Sequence, residues 1–188
     1  MASVGHLAVG VVAARIYGPF AGDGPGMRKP FLIWCWLSFL PDFDVIAHAF
    51  GVRYSDQLGH RGWTHSLAFA ALLAALAGGV AAWRKYPVVK TAGWTLVVVA
   101  SHALLDMLTD GGLGCALFWP FTPERYFFGW TPIPVSPMGL GLFSTYGLRV
   151  IVTELLVFSP LLAYGLWPRR RKQASDSADG LGRLRDED

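Results

Sequence analysis

The chain has 188 residues, of which 53% are hydrophobic and only 15% charged, with a formal net charge of +3. Soluble domains average roughly 25% charged residues. So apolar a composition excludes a disordered chain, and two cysteines, Cys35 and Cys115, exclude a disulfide framework. The length suits one domain. A membrane protein and a greasy soluble globule remain, and the distribution of residues along the chain separates them.

Five stretches approach the roughly 20 apolar residues that a bilayer-spanning helix needs: 4–20, 31–50, 65–83, 91–108 and 147–167. The first is short and carries Arg15. No Lys or Arg precedes it, so it lacks the basic flank of a signal peptide. The third has no charge after its histidine and is crowded with Ala71, Ala74, Ala75, Gly78 and Gly79, as where membrane helices pack closely. A soluble helix would show a polar stripe, and this one has none. The fifth ends at Trp167, an interfacial anchor. These patterns predict an all-α, multi-span transmembrane bundle of about five helices over residues 1–167. A polar tail, 168–188, reads as disordered and cytoplasmic.

The basic residues orient the spans. Arg28 and Lys29, then Arg84, Lys85 and Lys90, then Arg169 to Lys172 all fall on one side if every span crosses. The positive-inside rule then puts the N-terminus outside and the C-terminus in the cytoplasm. The longest connection, 109–146, holds the aromatic run Phe118, Trp119, Phe121, Tyr126, Phe127, Phe128 and Trp130. It reads as an interfacial loop, or a lid lining a lipid-binding mouth.

Ionisable groups inside membrane spans are costly and mark functional sites. His6 lies near the start of the first span. In Leu40-Pro41-Asp42-Phe43-Asp44, the proline breaks or kinks the second span and two carboxylates follow. Like charges this close repel, and a divalent cation removes the conflict. His60-Arg61-Gly62-Trp63-Thr64-His65-Ser66 opens the third span, with Thr64 placed to cap a helix that begins at His65. His102 and Asp106, four apart, share a helix face in the fourth span. Thr109-Asp110-Gly111-Gly112 then stops that helix. The orientation set by Lys and Arg alone puts His6, Asp42, Asp44, His60, His65, His102 and Asp106 towards the same, outer end. His48 fits a supporting or interfacial place better, and Asp110 is left open.

Seven N/O donors without a thiolate suit zinc first and manganese second, as one or two ions. Two metal ions in one site are a recurrent arrangement for phosphate-ester hydrolysis. At these residues the chain resembles the membrane-bound metal-dependent hydrolase family, the YdjM-like, LexA-regulated inner-membrane type. The matching pieces are His6, residues 40–44, 60–66, 101–106 and 109–112, and Trp119-Pro120. More distantly, the order His, Asp, His, His-x-x-x-Asp is similar to the zinc-dependent phospholipase C and P1 nuclease superfamily. That likeness maps His6, Asp42 or Asp44, His60 or His65, His102 and Asp106 onto metal positions. The chain departs from it in lacking an N-terminal Trp ligand, and neither Glu124 nor Glu154 has a His nearby. A one- or two-metal centre therefore follows better than a three-zinc one.

The expected function is a membrane-embedded, divalent-metal-dependent hydrolase, a phosphoesterase acting on a lipid or lipid-linked phosphate through metal-activated water. Asp42 or Asp44 would orient or deprotonate the water, and Arg61 would clamp the phosphate. Two rivals are a transporter or proton/metal conduit using intramembrane His and Asp, and a non-catalytic membrane protein stapled by its metal. Nucleic-acid binding is not expected, because membrane orientation already accounts for the basic residues. The oligomeric state is left open.

Overall fold

The computed structural model describes residues 3–17, 28–137 and 139–167. The proposed tail, 168–188, with its basic cluster, lies outside the described residues. Among the described residues five α-helices run in chain order: α1 (Ser3–Ile16), α2 (Arg28–Phe39), α3 (Leu67–Trp83), α4 (Val88–Met107) and α5 (Thr145–Leu166). Three 3₁₀ segments lie between them among the described residues, Leu40–Phe50, Trp63–His65 and Gly139–Phe143. Only two isolated bridges, Thr109 with Ile133 and Cys115 with Tyr126, pair extended backbone among the described residues. The all-helical expectation holds.

Three stretches are long and apolar enough to cross a membrane: Phe31–Phe50, Val88–Met107 and Thr145–Leu166. The other two expected spans come out shorter, at 14 residues for α1 and 17 for α3. At 1.5 Å per residue, α1 is only about 21 Å long. It compensates by position. Helix α1 packs against α2, α4 and α5 together, so it is the interior helix of the bundle. Its sequence allows this: Gly5, Ala8, Gly10 and Ala13 are all buried. A Cβ at Gly10 would lie 2.7 Å from the Cys35 Cα of α2, closer than any side chain tolerates.

Helix α3 packs on α4 through Ala70, Ala74, Gly78 and Ala81, spaced four and three apart. Ala71, Ala75 and Gly79, also small, face outward instead. Composition showed that a close-packed face exists, but not which turn it occupies. Around the bundle, Leu72, Leu76 and Val80 of α3 and Leu148, Val152 and Leu156 of α5 are exposed. Such an apolar exterior suits hydrocarbon rather than water.

Pro41 acts as expected and more. The α-helix stops at Phe39, and the chain continues as an 11-residue 3₁₀ segment with Pro at its first turn. Long 3₁₀ runs are uncommon. This one ends at Gly51, in the left-handed conformation at φ 83°. The change of pitch turns both Asp42 and Asp44 inward, where they are buried.

The direction of each helix fixes two unlike ends. His6 starts α1, and His102 and Asp106 close α4. At the other end lie Arg15, the Arg84–Lys90 turn and Trp167. Arg15 bonds the Trp167 carbonyl and stands 4.9 Å over the Tyr164 ring.

The contact at Gly10 makes a clear prediction. Replacing it with Val forces α1 off α2 and lowers stability by about 1–3 kcal/mol, read as a drop in Tm or in denaturant midpoint in detergent. An unchanged midpoint would show that the two helices do not meet there.

Candidate metal centre

The seven polar residues singled out from the sequence come together at one end of the bundle, all buried. Helix α1 brings His6, the 3₁₀ segment brings Asp42 and Asp44, the loop before α3 brings His60 and His65, and α4 brings His102 and Asp106. Two groups of donors emerge, each close enough to share an ion. One is Asp42, His65, His102 and Asp106, and the other Asp44, His60 and His65.

The first group is a set of donors facing one another. His102 Nε2 stands 3.3 Å from Asp42 Oδ1, and His65 Nε2 stands 3.6 Å from both Asp42 Oδ1 and Asp106 Oδ2. Metal–ligand bonds of 2.0–2.1 Å in a tetrahedron give donor spacings of about 3.3 Å. Both Asp42 oxygens, His65 Nε2 and His102 Nε2 are buried without a hydrogen-bond partner. Leaving buried polar atoms unmade is costly, and a carboxylate most of all.

The tautomers agree with this reading. His102 Nδ1 lies 2.7 Å from the Ser38 carbonyl, which can only accept. The proton therefore sits on Nδ1, and Nε2 presents its lone pair to Asp42. A second ring nitrogen held by a carbonyl is the usual support of a metal-binding histidine. His6 stacks on His102 with ring centroids 3.7 Å apart, and its Nε2 meets Asp106 Oδ1 at 3.2 Å. It backs the group from behind.

Asp44 has a different setting. Its Oδ1 accepts from His60 Nδ1 at 2.7 Å. Its Oδ2 accepts from Thr64 Oγ1 at 2.6 Å and from the Arg61 amide at 3.2 Å, with His65 Nδ1 at 3.3 Å. Those donors satisfy the carboxylate. With Nδ1 facing Asp44, His65 turns its Nε2 to the first group. A neutral imidazole has one lone pair, so His65 serves one group as a ligand and the other as a donor.

Two expectations change here. Thr64 does not cap α3. The helix begins at Leu67, and the Ser66 hydroxyl caps it by accepting from the Phe69 amide at 3.0 Å. Thr64 is drawn away by Asp44. Arg61 is not placed to clamp a phosphate from solvent, being only 1% exposed. Its Nη1 donates to the Gly111 carbonyl at 2.8 Å, its Nη2 to Thr109 Oγ1 at 3.0 Å, and its Nε lies 3.0 Å from Asp106 Oδ2. A left-handed backbone at φ 63° turns this side chain inward. Arg61 therefore fixes Asp106.

The loop is tightly built. A Cβ at Gly62 would fall 2.1 Å from the Gln57 carbonyl oxygen. Arg125 ties the loop from outside, donating to the carbonyls of His60, Tyr54 and Asp56. The Tyr54 ring stands edge-on to His60, and burial pushes its phenol pKa up. Cys115 is also buried nearby, and burial pushes its thiol up to about 11. Cys115 belongs to neither donor group, so both are built of nitrogen and oxygen. His48 stays outside the cluster, its Nδ1 donating to the Val52 carbonyl at 2.8 Å. Asp110 accepts from the Val135 amide instead.

Sequence reading missed one functional-looking group. Glu154, in the middle of α5, is 1% exposed and accepts from the Val4 amide at 2.6 Å. It caps the start of α1, the helix that carries His6. As the single carboxylate of the 147–167 apolar stretch, it was the available signal.

Residues 1–172 match the family model described as YdjM inner membrane protein. The chain belongs to the YdjM inner membrane protein family. Among curated relatives, inner membrane protein YbcI of Escherichia coli (strain K12) is 41% identical over 157 residues, covering 80% of this chain and 91% of that protein. As a YdjM-family member, the chain is an inner membrane protein with a buried His/Asp cluster able to hold a metal. No solved structure matches it. The likeness to phospholipase C and P1 nuclease finds no support in these comparisons.

Two outcomes test the geometry. Thr64→Val removes a donor from buried Asp44 and should cost about 1–3 kcal/mol of stability, measured by denaturant unfolding. Cys115 should resist maleimide at about pH 8 in the folded protein and react once unfolded; rapid labelling of the native state would show an open loop.

Proposed function

We propose that this YdjM-family protein is a membrane-embedded hydrolase that uses one divalent ion, zinc in first place, to cleave a lipid or lipid-linked phosphoester. The observation that carries the reading is the set of facing, unpartnered donors on Asp42, His65 and His102, completed by Asp106. These four residues would hold the ion. When bound, such an ion supplies Lewis acidity and lowers the pKa of water.

The chain's own residues divide the remaining work. Asp42 has two oxygens, so one can ligate while the other accepts a proton. Asp44 acts through others: it holds His60 and His65 in single tautomers and fixes the Arg61 backbone. Arg61, with its Nε 3.0 Å from Asp106 Oδ2, keeps that carboxylate aimed. His60 donates its Nδ1 proton to Asp44, which fixes its ring orientation in the manner of an oriented catalytic histidine. The lipid character rests on the neighbouring aromatic segment. Phe118, Phe121 and Trp130 are exposed, and the segment is joined to the site by the Leu67 amide on the Leu117 carbonyl and the Ala116 amide on the Arg61 carbonyl.

A second reading has an observation of its own. Four protein donors can close a site, as in structural zinc centres, and the ion would then only staple the helices. The conduit reading has no such support, since the far halves of α3 and α4 hold no acid or histidine.

The test is metal analysis of the purified chain, with assays on lipid phosphoesters. About one ion per chain is expected. Asp42→Ala and His102→Ala should lose it along with activity. Asp44→Asn should keep the site but weaken metal affinity by about 10–100-fold. Metal retained and activity absent on every phosphoester tried would favour the staple. A metal-free protein with full activity would overturn both.

A further inference from the structure

At the end away from the metal centre, a groove of about 520 Å³ opens between α2, α3 and α4. That volume is within the roughly 300–1,000 Å³ of small-molecule sites. Its floor and walls are Ile33, Leu37, Ala77 and Thr95, and its mouth holds Arg84 and Thr91. Lys85 and Lys90 are exposed in the same turn and the first turn of α4, and add basic charge near Arg84.

One detail marks this groove apart from an ordinary apolar crevice. Thr95 is 1% exposed, and its Oγ1 has no hydrogen-bond partner. A helical threonine normally bonds the carbonyl one turn back, as Thr91 does with Pro87 at 2.8 Å. Thr95 does not, so a buried hydroxyl lines an apolar groove one turn below a cluster of cations.

We propose that the groove is a binding site for an anionic phospholipid, independent of the metal centre. The phosphate sits at the mouth against Arg84, with Lys85 and Lys90 adding to the field. An ester carbonyl, one turn deeper, accepts from Thr95. One acyl chain runs along Ile33, Leu37 and Ala77. Every class of lipid atom then meets a matching surface, and the unmade hydrogen bond of Thr95 is completed.

The test is native mass spectrometry of the full chain, purified in mild detergent and offered phosphatidylglycerol or phosphatidylcholine. One phosphatidylglycerol per chain should be retained in preference. Arg84→Gln should reduce that preference by about fivefold. Thr95→Val should weaken retention of both lipids, and Ala77→Phe should abolish it by filling the groove. Equal retention of the two lipids, or retention unchanged in all three variants, overturns the proposal. Should Ala77→Phe fail to fold by circular dichroism, Arg84→Gln, at an exposed position, decides alone. Metal content is measured in the same samples. Its loss without loss of lipid preference would count against the metal reading only.

Discussion

The geometry of the site depends on the Asp44 carboxylate. It draws in donors from His60, Arg61, Thr64 and His65, and so binds the loop before α3 to the 3₁₀ segment after α2. A buried carboxylate is tolerated only when such donors surround it. Here the loop supplies them from two adjacent pairs, 60–61 and 64–65, and the loop's shape is thereby set. His65 acquires its tautomer, and Arg61 acquires the backbone position from which it reaches Asp106. Asp42, two residues earlier, has no such company. The contrast between a satisfied and an unsatisfied carboxylate gives the pair two different tasks.

Much of this was legible in the sequence. Polar residues in apolar runs are few enough to stand out, and His6, the Asp pair, the two loop histidines and the His102–Asp106 pair do converge. The α4 pair followed from helical spacing alone, and Pro41 from its missing amide. What was not legible was direction. Arg61 reads as a phosphate clamp, yet its φ of 63° turns it inward. Thr64 and Ser66 are both good caps, and the choice between them was made by Asp44, a tertiary partner invisible to local rules. The central place of α1 was hidden too. Its small residues look like a weak span, whereas they permit contact on several sides.

The two ends of the bundle spend their polar residues differently. The end that carries the candidate donor set buries acids and histidines among loops. The far end leaves Arg84, Lys85 and Lys90 exposed around an apolar groove. Helix α4 spans both, with Lys90 and Thr95 near its start and His102 and Asp106 near its finish. Its buried face passes through Val98 and Val99 between them, which insulates one polar region from the other.

The Glu154–Val4 bond carries a consequence for how the protein is made. The residues it joins are 150 positions apart, on the first and last helices. While the ribosome is still making the middle of the chain, α1 has no α5 to hold its leading turn. The cap on the helix that carries His6 therefore forms only once α5 has been made. The α1 member of the donor cluster is thus secured by a helix from the far end of the described chain.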